Sequence, residues 1–121
     1  MSTGRLLLVD DEPDIRAIAT MALERVGGWE VTGVGSAQEA IDAAVDAQRP
    51  DAVLLDVMMP DVDGPATFER LRELLGDGVP VIFLTAKPET ERLLALGAAG
   101  VIAKPFDPLA LPREVAAITR R

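Results

Sequence analysis

The sequence predicts a single α/β domain: five parallel strands with helices on both faces. Three observations lead there. Short apolar runs without polar alternation recur along the chain, as strands buried on both faces require. Between them stand segments whose apolar residues repeat at helical spacing. Strand and helix alternate five times with short connections, which implies right-handed crossovers and a doubly wound sheet. A length of 121 residues suits one such domain, spanning 1–121.

Taken in order, Arg5-Leu6-Leu7-Leu8-Val9 is the first strand, ending abruptly in Asp10-Asp11. Glu12-Pro13-Asp14 opens the first helix, with proline in the first turn where its missing N–H costs nothing. Ile15, Ile18, Ala19, Ala22, Leu23 and Val26 form its apolar stripe, and Gly27-Gly28 stops it. Trp29 to Val34 is a second strand, with Trp29 expected as a partly buried anchor at its start. Ser36-Ala37-Gln38-Glu39 is a capping box for a second helix whose apolar face is Ala37, Ala40, Ile41, Ala44 and Val45. Pro50-Asp51 starts the central strand, whose apolar run Val53-Leu54-Leu55 ends on Asp56 before the chain breaks at Pro60 and the loop 61–64. After Gly64-Pro65, Phe68, Leu71, Leu74 and Leu75 mark a third helix, ended by Gly76-Asp77-Gly78. Val79 to Leu84 is a fourth buried strand that terminates in Thr85-Ala86. A fourth helix from about Pro88 carries Leu93, Leu94 and Leu96, with Gly97 as its C′ residue. Val101-Ile102-Ala103 is the short fifth strand, leading to Lys104-Pro105-Phe106. The last helix, from near Asp107-Pro108, carries Leu111, Val115 and Ile118, and Pro112 should bend or delay its first turn.

Composition narrows the chemistry. Cysteine and histidine are both absent, which removes thiolate and imidazole catalysis, disulfides and histidine metal sites. What remains is carboxylate, hydroxyl and ammonium. The net charge of −8 repels phosphate backbones, so direct nucleic-acid binding by this domain is not expected. No apolar run has the length of a membrane span and the N-terminus lacks the apolar segment of a signal peptide, so a cytoplasmic location is expected. Lysine occurs only twice, at positions 87 and 104, so each position carries information.

In a parallel sheet all strand C-termini share one edge, where ligands of open α/β folds bind. That edge receives Asp10-Asp11, Asp56, Thr85 and Lys104. Carboxylates gathered there repel unless a cation intervenes. Magnesium, which takes one or two carboxylates together with waters and phosphate oxygens, is the natural partner. A hydroxyl and an ammonium opposite suit the oxygens of a phosphoryl group, with Asp56 as the nucleophile that forms an acyl phosphate. Taken singly, Thr85 reads as a turn hydroxyl and Lys104 as a solvated loop cation. Their convergence on one edge carries the functional reading.

Four stretches resemble the receiver domain of two-component response regulators, in order and across essentially the whole chain: Val9-Asp10-Asp11-Glu12-Pro13; Leu55-Asp56-Val57-Met58-Met59-Pro60-Asp61-Val62-Asp63-Gly64; Leu84-Thr85-Ala86; and Gly100-Val101-Ile102-Ala103-Lys104-Pro105-Phe106. The resemblance implies a flavodoxin-like sheet of order 2-1-3-4-5. It implies that Asp56 takes a phosphoryl group from a sensor histidine kinase or a histidine phosphotransfer protein. Asp11, Asp56 and the backbone carbonyl of Met58 would hold Mg2+, with Asp10 acting mostly through water. Thr85 and Lys104 would meet phosphoryl oxygens, and the Lys104-Pro105 bond would be cis. The fourth helix, fifth strand and fifth helix would face a downstream partner that the sequence does not identify. One position departs from the family pattern: Val101 stands where receivers usually carry Tyr or Phe. Two other readings remain at this stage, a phosphate-independent binding module and a magnesium-dependent aspartyl-phosphate phosphohydrolase.

Overall fold

The computed structural model describes residues 3–45, 49–59, 62–86 and 89–120. The apolar runs become β1 (Gly4–Val9), β2 (Trp29–Val34), β3 (Ala52–Asp56), β4 (Val81–Thr85) and β5 (Gly100–Ala103). They form one parallel sheet in the order β2-β1-β3-β4-β5. The helices are α1 (Pro13–Arg25), α2 (Ala37–Ala44), α3 (Gly64–Leu75), α4 (Thr90–Ala95) and α5 (Leu111–Thr119).

Alternation within the central strands divides the core into two layers. Leu7, Val9, Val53, Leu55, Val81 and Phe83 pack with residues of α2 and α3 and with Leu93 of α4. Leu6, Leu8, Leu54, Ile82 and Leu84 pack with Ala19 and Leu23 of α1 and Leu111 and Val115 of α5. β3 and β4 are buried at every residue, which explains why their sequences do not alternate. Each such buried leucine, valine or phenylalanine contributes about 1.5–3 kcal/mol. A change such as Leu54→Ala would therefore cost roughly 2–5 kcal/mol. Phe68 and Phe83 add a tilted aromatic pair, with ring centroids 5.4 Å apart.

The helix ends follow their sequence signals. Ser36 Oγ accepts the Glu39 N–H at 3.1 Å, capping α2. Gly97 has φ +108 directly after the C-cap of α4, the conformation a C′ glycine supplies. Pro112 does delay α5. The Asp107 carbonyl first accepts the N–H groups of Ala110 and Leu111, and the helix starts at Leu111 rather than beside Asp107-Pro108.

Several expectations are corrected. Ile18 and Val26 are 45% and 60% exposed, because α1 touches the sheet through the narrower stripe Ala19, Ala22 and Leu23. Val45 is exposed because it is the C-cap residue and its side chain leaves the apolar face of α2. Leu94 is exposed because six residues of α4 turn only Leu93 inward. Trp29, expected to be partly buried, is buried. β4 begins at Val81 rather than Val79, since Pro80 has no N–H to give a ladder. The loop after β3 contains a short antiparallel ladder, Met58–Met59 against Val62–Asp63. It leads straight into Gly64, where a Cβ would lie 2.8 Å from the Val57 backbone. The expectations for Pro60, Asp61, Lys87 and Pro88 fall outside the described residues. Among the described residues no helix is long and apolar enough to cross a membrane.

Candidate functional site

Strand register sets the geometry of the carboxyl edge. Val9 pairs with Leu55, so Asp10 and Asp56 emerge side by side from β1 and β3. Asp56 pairs with Leu84, which puts Thr85 one step further along, and Thr85 pairs with Ala103, which does the same for Lys104. The edge rises by a residue per strand toward β5. A side chain as long as lysine can reach back across that rise.

It does. Lys104 Nζ lies 2.8 Å from Asp10 Oδ2, 3.3 Å from Asp56 Oδ2 and 3.7 Å from Glu12 Oε1. Asp10 and Asp56 are buried, at 0% and 2% exposure. Burial of Lys104 works against its charge, yet the hydrogen bond to Asp10 and the charges of Asp56 and Asp10 outweigh that cost. The ammonium pKa is therefore raised above its ordinary 10.5. Asp10 is tied down further. Its N–H donates to the Val34 carbonyl at 3.1 Å, and its Oδ1 accepts the Glu12 N–H at 2.9 Å.

Asp10, Asp11, Glu12 and Asp56 each offer a carboxylate oxygen, and these four oxygens lie within 4.8 Å of one another. Among the described residues, the four carboxylates outnumber the cations at the pocket, Lys104 and the Arg16 guanidinium at the Asp10 carbonyl, so it is net negative. Crowded hard oxygen donors of this kind fit a hard divalent cation and suit no soft metal. Glu12 was missed by sequence reasoning, which gave it only a helix start. Its adjacency to Asp10-Asp11 was the available signal.

Of the other residues named from sequence, Thr85 is buried at the end of β4, and its carbonyl accepts the Lys104 N–H at 2.8 Å. Met58 stands two residues past Asp56, its backbone in the short ladder. The Lys104-Pro105 peptide is cis. Val101 is half-buried on β5 against the layer that includes Phe83.

Fold and pocket together define a doubly wound α/β domain of the receiver class. Residues 6–116 match the family described as the response regulator receiver domain, and the chain belongs to that family. It is 42% identical to the probable transcriptional regulatory protein TcrX of Mycobacterium tuberculosis, over 96% of this chain and 50% of that protein. It is 39% identical to the phosphate regulon transcriptional regulatory protein PhoB of Pseudomonas aeruginosa, over 96% of this chain and 52% of that protein. The chain thus spans about half the length of these curated relatives. Among solved structures, the chemotaxis protein CheY4 of Vibrio cholerae superposes with a TM-score of 0.84 at 28% identity, covering 98% of both chains. The family is one of signalling domains, not of enzymes in the ordinary sense.

Proposed function

We propose that residues 1–121 form one phosphoacceptor module of a two-component or phosphorelay system, working in the cytoplasm. Asp56 is the phosphoacceptor. Its carboxylate oxygen bonds to phosphorus as the phosphorus–nitrogen bond of a donor phosphohistidine breaks, and the imidazole leaves. The donor is a sensor histidine kinase or a histidine phosphotransfer protein. Asp10, Asp11 and Asp56, with the Met58 backbone carbonyl, hold Mg2+. Bound magnesium supplies charge neutralisation and orientation for the incoming phosphoryl oxygens. Lys104 gives up part of its pairing with Asp56 to meet one phosphoryl oxygen, and the Thr85 hydroxyl meets another. The only reactions the domain catalyses are its own phosphorylation and dephosphorylation. The face formed by α4, β5 and α5 carries the change to an output partner.

The observation that carries this reading is the ring of four carboxylates closed by Lys104 at the end of the central strands. A phosphohydrolase would need a further pocket for its substrate. Val101 favours the phosphate-independent module to a small degree, but an intact acid set with its lysine serves that module no purpose. The test is intact-mass spectrometry after incubation with acetyl phosphate and magnesium. Wild type should gain one phosphoryl mass, and none when EDTA replaces magnesium from the start, and Asp56→Asn should gain none. An equal gain in Asp56→Asn would reject Asp56 as the acceptor.

A further inference from the structure

Asp10 is held by more than its carboxylate. Arg16, early in α1, donates from Nη1 to the Asp10 backbone carbonyl at 2.8 Å. Helical side chains lean toward the N-terminus of their helix, so a long one at this position comes back over the end of β1. Its path crosses the end of β2. A Cβ on Gly33 would lie 3.3 Å from Arg16 Cγ and Cδ, and one on Gly35 would lie 2.9 Å from Nη1. Neither glycine has the left-handed backbone that favours glycine. What the missing side chains provide there is space, and the arginine fills it.

Four carboxylates that repel one another splay apart unless the backbone bearing them is fixed. The Asp10 peptide is fixed on both sides, by Val34 at its N–H and by Arg16 at its carbonyl. The second contact is a charge-assisted hydrogen bond, the stronger kind. The same carbonyl group belongs to the peptide that launches Asp11. We propose that Arg16 is a positioning residue for the acid pocket: seated in the channel left by Gly33 and Gly35, it holds the Asp10–Asp11 peptide so that the carboxylates already stand at cation-binding separation. This rests on reading the pocket as a cation and phosphoryl site.

The experiment compares wild type with Arg16→Gln, Arg16→Lys and Gly35→Ala. Gly78→Ala is the control, since a Cβ there meets nothing within 4 Å. Amide hydrogen exchange in EDTA reads the clamp without metal, and calorimetric titration with magnesium reads its consequence. Removing a group that orients metal ligands typically costs 10–100-fold in affinity, so Arg16→Gln should bind magnesium about 10-fold more weakly. Its Asp10 and Glu12 amides should exchange faster, beyond any change shared by Ile82 and Phe83 that reports lost global stability. Gly35→Ala keeps the charge and disturbs only its seat, so it should move both readouts the same way. Arg16→Lys should fall between, and the control should match wild type.

Exchange at Asp10 and Glu12 that stays unchanged in both Arg16→Gln and Gly35→Ala would overturn the inference. So would a change spread evenly over the sheet, or an unaltered magnesium affinity in the folded variants. Should wild type itself take up no magnesium, the cation reading fails, and the exchange data alone then decide for or against the clamp.

Discussion

The two ends of the carboxyl edge are built differently. On the β1–α1 side, buried Asp10 is bonded through its N–H and both carboxylate oxygens, and α1 runs for 13 residues. On the β4–α4 side, Thr85 is also buried, but it leads to a helix of 6 residues with no side-chain cap at Glu89. That helix buries Leu93 and leaves Leu94 exposed at 44%. So short a helix has no stability of its own and depends on its few contacts. One side of the edge fixes charge, and the other is held by fewer contacts. A phosphoryl group on Asp56, as proposed, would bias the domain only through contacts that differ between two states. The β4–α4 side is where such contacts can change.

Removing the cation of the fixed side should have the largest effect on stability. Lys104→Met leaves Asp10 and Asp56 buried against each other, and breaking a buried pair in this way costs roughly 3–5 kcal/mol. The same pair predicts an alkaline limit in metal-free protein. The raised ammonium pKa means its contribution is fully present below about 10.5, the unfolded value, and is lost as pH rises through the higher folded value. Urea unfolding in EDTA across that range should show a decline in wild type that Lys104→Met flattens. Equal declines in the two proteins would show that the pair is not what titrates.

The β4–α4 side should answer to Thr85. A hydroxyl hydrogen bond to a charged oxygen is worth about 1.5–3 kcal/mol, enough to shift a two-state equilibrium by an order of magnitude or more. Val101 offers no polar tip and, being β-branched on a strand, has a restricted χ1. Thr85→Ala should therefore uncouple beryllofluoride binding from NMR shifts in α4. Val101→Ala should lose about 1 kcal/mol of packing with coupling retained. The opposite pattern, α4 responding in Thr85→Ala and silent in Val101→Ala, would assign the switch to β5. A smaller effect is expected from Asp11→Asn. Relieving repulsion in the pocket should stabilise metal-free protein by several tenths of a kcal/mol, since Asp11 is partly exposed and screened. Calorimetry in EDTA showing clear destabilisation would mean that Asp11 makes a favourable contact in the empty pocket.

The same contrast explains what the sequence reveals and what it hides. Five apolar runs interrupted by Asp10, Asp56, Thr85 and Lys104 were legible, because a strand buried on both faces has no place for a charge until it ends. The parallel sheet then brings those ends together without further information. Helical periodicity, by contrast, gives the direction a helix faces but not the width of its contact, so Ile18, Val26 and Leu94 were misplaced. The Met58–Met59 ladder was hidden because it depends on Gly64 packing against Val57, a contact made only in the folded chain. Arg16 was hidden for a related reason. Nothing marks it among twelve basic residues until β2 brings Gly33 and Gly35 beneath its side chain.

The smallest effect is expected at the opposite edge, from the single tryptophan. Trp29 opens β2, pairs with Gly4, and is buried in the layer formed with α1 and α5. The acids lie at the far ends of the strands, and a six-residue strand rises about 20 Å at roughly 3.3 Å per residue. Over that distance the Coulomb interaction has fallen off severalfold from its contact value, so a charge change at the pocket acts weakly on the indole. Rearrangement of α4 does not reach it either, because Leu93 packs in the other layer of the core. Trp29 fluorescence should therefore stay nearly constant when magnesium or beryllofluoride is added to wild type. Arg16→Gln should leave that insensitivity intact, since the clamp acts only at the strand ends. Strong quenching by either ligand would show that motion at the carboxyl edge travels through α1 or α5 to the base of the sheet, and the division into a fixed and a responsive side would have to be redrawn.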